Sequence, residues 1–113
     1  MEESIFLSIK KLLGISSDNE DFDEDIKIHI NSVLMILDQI GIESITKNFI
    51  IEDGSETWSD YLTDIDKFSA VKSYIYLKVK LLFDPPLNSS VLESNKEVIK
   101  ELEWRLNIES EED

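Results

Sequence analysis

The chain has 113 residues, 42% of them hydrophobic and 32% charged, enough for one domain with a single core and a large exposed surface. Its formal net charge of -14 argues against a broad nucleic-acid-binding face, because phosphate affinity comes from Lys and Arg displacing counterions, and zero cysteines exclude disulfides and thiolate metal sites. Met1-Glu2-Glu3 is acidic where an export signal is basic, and no apolar run approaches the ~20 residues of a bilayer-crossing helix, so a soluble intracellular protein without membrane contact is expected.

Ile5, Ile9, Leu12 and Leu13 recur at helical spacing, and Gly14 follows as a left-handed stop to a short N-terminal helix. Residues 16–21 form a polar linker. Phe22, Ile26, Ile30, Val33, Leu37 and Ile40 then step by four and three. Asp23 and Asp25 suit the positive end of that helix, and Gly41 ends it. His29 lies beside the apolar series and has no second histidine with which to share a metal, so it reads as a surface or boundary residue. Asp21, Asp23 and Asp25 alternate like calcium-loop ligands. The calcium reading fails, because Ile26 stands where that loop needs glycine and Ser32 where it needs glutamate.

Periodicity is lost over residues 42–56. Phe49-Ile50-Ile51 fits a short strand, a buried crossing or the stem of a loop, and Asp53-Gly54-Ser55 signals a turn. Thr57 and Asp60 have capping-box spacing at the head of a short helix whose apolar face is Trp58, Tyr61 and Leu62. Asp64-Ile65-Asp66 separates it from a long helix over 67–83. There Phe68, Val71, Ile75, Val79 and Leu82 form one stripe, with Tyr74, Leu77 and Leu81 beside it. A helix apolar around most of its circumference needs neighbours on several sides. Lys72, Tyr76 and Lys80 are left as its outward stripe.

Asp84-Pro85-Pro86 stops this helix stereochemically, since proline has no amide hydrogen and pushes the residue before it out of the helical region. Ser90 and Glu93 have capping-box spacing for the restart. Leu92, Ile99, Leu102 and Leu106 offer the last helix a core face, from which Trp104 departs by more than a quarter turn. The expected fold is all-α: a small bundle of four to five helices with a Pro-Pro-cornered C-terminal hairpin and an irregular segment near residues 42–56. It comprises one domain over 1–108 and an acidic tail over 109–113. No carboxylate is joined to a histidine, a nucleophile motif or a glycine-rich phosphate loop, so no residues are assigned to catalysis, a metal or a cofactor.

The composite Tyr74-Ile75-Tyr76-Leu77-Lys78-Val79-Lys80-Leu81-Leu82-Phe83-Asp84-Pro85-Pro86, with Asn88-Ser89 and Glu101-Leu102-Glu103-Trp104-Arg105-Leu106-Asn107 after it, resembles the head-tail connector proteins of long-tailed bacteriophages. The resemblance to this adaptor, or head completion, family extends upstream through 53–62 and Ile40-Gly41. It implies a non-enzymatic helical protein that forms a ring under the portal, extends the DNA exit channel and offers a docking surface to the next protein. The implied partners are the portal, further copies of the chain and a stopper or tail-completion protein. DNA passes through without being specifically bound, and no cofactor is involved. The implied place is the virion head-tail junction, reached from the host cytoplasm, with the free chain possible as a monomer or a ring.

Two interface candidates come from the residues themselves. Trp104 with Arg105 is either an aromatic and guanidinium anchor for a neighbouring subunit or the portal, or Trp104 is buried against its own core. Lys72, Tyr76 and Lys80 either meet the acidic flank of a neighbour or form an ordinary solvated helix face. The rival reading, from another class, is an acidic phage inhibitor that mimics DNA and occupies a host nucleic-acid-binding protein.

Overall fold

Left-handed glycines and side-chain caps fix where the helices begin and end. The computed structural model describes residues 2–112 and forms α1 (Ile5–Leu12), α2 (Asp23–Ile40), α3 (Trp58–Tyr61), α4 (Ile65–Phe83) and α5 (Ser89–Glu112), with no strand among the described residues. The Ser4 hydroxyl accepts the Leu7 amide at the head of α1, and Gly14 follows its end at φ 82°. Gly41, at φ 116°, returns its amide to the α2 carbonyls of Leu37 and Asp38. Thr57 and Asp60 form the expected capping box on α3. The all-α architecture expected from the periodicities is the one adopted.

Helix α4 lies at the centre, packed against α1, α2 and α5. Its Val71, Tyr74, Ile75 and Val79 are wholly buried and meet Ile26, Ile30, Val33 and Leu37 of α2 and Ile99 and Leu106 of α5. Each such side chain contributes roughly 1.5–3 kcal/mol on burial, more than the ~0–1 kcal/mol of an exposed ion pair. Across the α4–α5 seam, the Tyr74 hydroxyl donates to Glu103 Oε2 at 2.7 Å, and Lys78 Nζ stands 3.9 Å from the same oxygen. The proline corner therefore delivers two packed helices.

The irregular segment is tied down by side chains. Asn31 of α2 clamps Ile51 as a strand neighbour would: its Nδ2 donates to the Ile51 carbonyl at 3.0 Å and its Oδ1 accepts the Ile51 amide at 2.7 Å. Ile51 is buried. Of the three alternatives for Phe49-Ile50-Ile51, the buried crossing describes Ile51 alone, since Phe49 is half-buried and Ile50 exposed. At the turn, Gly54 has φ 93° and its carbonyl accepts the Ser4 hydroxyl. A Cβ there would stand 3.0 Å from the Phe6 ring. Trp58, fully buried, donates its indole N–H to Ser8 Oγ at 3.1 Å, which joins α3 to α1.

Several boundaries and faces differ from expectation. Asp64 is a cap for α4, accepting the Asp66 amide, so the helix starts two residues before 67. Asn88 Oδ1, not Ser90, receives the first free amides of α5, those of Ser90 and Val91 at 2.8 and 3.2 Å. Ser90 is already inside the first turn, because the helix begins at Ser89. Leu82 keeps the azimuth of the buried stripe, but in the last turn of α4 it is exposed, while its neighbours Leu81 and Phe83 pack against the core. Phe22 precedes α2 rather than joining its buried face and lies edge-on to Phe83 with ring centroids 5.3 Å apart.

Burial of Tyr74, then its hydrogen bond to Glu103, raises its pKa well above the ordinary 10.0, and burial likewise raises that of Tyr61. The folded chain keeps protons that the unfolded chain loses near pH 10, so stability is complete below that pH and falls as pH rises beyond it. Denaturant titrations from pH 8 to 11 are expected to show this decline. Tyr74→Phe should make it shallower.

Candidate functional site

The outward side of α5 presents an aromatic ring that stays largely open to solvent among the described residues. Trp104 lies about 140–160° around the helix from Ile99, Leu102 and Leu106, which face the core. It is 65% exposed. Of the two alternatives for Trp104, burial against its own core is therefore not the one adopted. Arg105 beside it directs Nε and Nη2 to Glu101 Oε1 at 3.2 and 2.7 Å, an exposed pair one turn away.

Lys72, Tyr76 and Lys80 lie on the side of α4 turned away from α5, since position 76 is about 160° around the helix from both Tyr74 and Lys78. The structure thus separates this stripe from Trp104 and Arg105. It is also less open than expected. Tyr76 packs partly against the core, Lys72 pairs with Glu3 at 3.2 Å over the Phe68 ring, and Lys80 stands 3.7 Å from Asp84. The acids that meet these lysines belong to the same chain.

The core-facing periodicity of α2 gives no sign of a groove that lies on the outer side of that helix. Ile28 and Met35, two turns apart, remain exposed where a surface helix is ordinarily polar, and the 42–50 loop brings Phe49 and Ile50 against them. Together with Tyr61 these residues border a cavity of about 480 Å³. The ring of Phe49 stacks on Tyr61 at 5.1 Å, and the Ile45 amide donates to the Tyr61 carbonyl at 2.9 Å. The Tyr61 hydroxyl is buried and has no hydrogen-bond partner. Asp38, on the rim, adds to the burial that holds the phenol protonated. The signal available in the sequence was Ile28 and Met35 at a spacing of seven on the wrong side of an amphipathic helix.

Charge is distributed in keeping with the excess of acids. Lys10, Lys27, Lys67, Lys72, Lys78, Lys80, Lys96, Lys100 and Arg105 each have a carboxylate within 4.0 Å. Local pairing therefore cancels much of the positive charge and leaves the negative excess unopposed. Among the described residues no group of three or more His, Asp or Glu is placed to hold a metal ion, and no helix is long and apolar enough to cross a membrane.

A family model described as phage connector protein matches residues 5–113. No curated protein and no solved structure matches the chain.

The wall of the groove depends on the Asn31 clamp, because losing it leaves a buried amide and carbonyl of Ile51 without partners, at about 1–3 kcal/mol. Asn31→Ala is expected to lower stability by an amount in that range. Hydrogen exchange should show the Ile51 amide losing protection while the α4 amides keep theirs at the reduced global limit.

Proposed function

The chain belongs to the phage connector protein family, and from that premise we propose that it assembles as a ring under the portal, at the head-tail junction. In this reading it extends the DNA exit channel and presents the docking surface for a stopper or tail-completion protein. It is a structural joint rather than an enzyme. A helical wedge suits the role because its core is complete within one chain while its outer sides stay free for neighbours.

Two properties support the reading. The net charge of -14, with most cations locally paired, gives any channel-lining face a repulsion toward phosphate across the ~8 Å screening length of physiological salt. DNA then slides past without adhering. The observation that carries the assembly is Trp104: tryptophan and arginine dominate interface energetics, and here an indole is held in solvent by a well-packed helix with a guanidinium beside it. Lys72 and Lys80 are assigned a smaller part, as rim charges that orient a neighbour more than they bind it.

Electron microscopy of the purified portal, with and without this chain, tests the reading. A second ring of density below the portal is the expected result. Unchanged portal particles, with capture of a basic nucleic-acid-binding host protein instead, would favour the DNA-mimic reading. Trp104→Ala is expected to leave stability within about 0.5 kcal/mol of the parent, because the ring is exposed. It should remove most of the ring density.

A further inference from the structure

The groove on α2 and the bare indole on α5 are chemically matched. The walls of the groove are mostly apolar, with Ile28, Met35 and Phe49 contributing beside the polar Asn31, Ser32, Ser44 and Asn48, and its volume of about 480 Å³ lies within the roughly 300–1,000 Å³ of pockets that enclose a ligand. Its one charged lining residue is Asp38. The Tyr61 hydroxyl, buried and unpartnered, is an unmet hydrogen-bonding group in the same lining, and such groups ordinarily find a partner. The occupant that these features describe is an aromatic side chain with an N–H donor and a cation beside it.

Resting on the ring reading above, we propose that the α2 groove receives Trp104 of a second copy of this chain, with Arg105 of that copy set against Asp38. Indole offers one donor and no acceptor, which the Tyr61 oxygen, out of solvent reach in the single copy, complements once seating of the ring uncovers it. Met35 supplies a sulfur contact to the ring, and Phe49 supplies an aromatic edge or face. Arg105 has guanidinium donors beyond those it gives Glu101.

Placement makes the contact intermolecular. Asn107 Nδ2 of α5 donates to the Ile40 carbonyl at 2.9 Å, so α5 meets the C-terminal end of α2. Among the described residues none of α5 lines the groove, and Trp104 is in solvent rather than in its own groove. A contact between two different patches is heterologous, and repeated copies of it close into a ring when the rotation allows. A free single copy keeps both halves open.

Because the chain has no cysteine, single-cysteine variants give an unambiguous test. Ser32→Cys marks the groove and Lys100→Cys a site one turn from Trp104; both positions are exposed. Equimolar mixtures are treated with a short bismaleimide, free at high concentration and on the purified portal. Cross-linked species containing one of each variant are expected, and Trp104→Ala in the Lys100→Cys copy, or Met35→Glu in the Ser32→Cys copy, should cut their yield at least tenfold. Circular dichroism should show both still folded, as each substituted residue is exposed. Tyr61→Phe should reduce the yield less. Absence of the mixed cross-link in both settings, or a yield that Trp104→Ala leaves unchanged, would overturn the proposal. A ring on the portal without the cross-link sinks this contact alone, whereas cross-linked copies that never bind the portal sink the ring-under-portal reading and leave the contact standing.

Discussion

Helix α4 cannot be left on a surface. With Val71, Tyr74, Ile75 and Val79 buried and Leu77, Leu81 and Tyr76 packed beside them, apolar side chains occupy most of its circumference. Three helices are drawn around it, and each is thereby left with one inner and one outer side. The placement of Trp104 is a consequence. Once Ile99, Leu102 and Leu106 of α5 turn toward α4, helical geometry leaves position 104 on the opposite side, where it stays largely exposed. The interaction that completes the fold also determines which groups remain for other molecules.

Polar side chains do a different job, which is to fix the segments that lack regular structure. Asn31 substitutes for a strand partner at Ile51, Ser4 links the head of α1 to Gly54, and Glu56 accepts the amides of Glu52 and Gly54. The buried Lys10 ammonium is held by Asp23 at 2.8 Å and the Ser17 carbonyl at 3.2 Å, so the linker between α1 and α2 is anchored as well. The 42–50 loop is one wall of the α2 groove, and the Asn31 clamp, the Ile45–Tyr61 hydrogen bond and the Phe49–Tyr61 stack together hold it in place.

The features written in short-range chemistry were legible from the residues alone. Gly14 and Gly41 stop helices where a left-handed residue is needed, the Thr57–Asp60 box forms, and the proline corner folds α4 back on α5. The irregular segment was recognisable only as irregular, because its order comes from Asn31, twenty residues away, and such a pairing leaves no periodic trace. The exposure of Leu82 was hidden for a related reason: azimuth says which way a residue points, but not whether a neighbour extends that far. Trp104 could be placed off the core stripe, yet the α2 groove depends on a loop crossing and on the unsatisfied Tyr61 hydroxyl, both tertiary properties. Lys72 and Lys80 looked free until their own chain's Glu3 and Asp84 were found against them.

Family membership and physical chemistry point the same way. The chain belongs to the phage connector protein family, its core is complete within one chain, and its net charge is -14. The central claim is that this chain is a joint between head and tail, and its most direct measurement is the fraction of DNA-filled heads bearing tails in micrographs of lysates from a phage deleted for it. The account predicts filled heads without tails, restored to joined particles when the chain is supplied in trans. Deletion particles that join head to tail and infect as the parent does would contradict it.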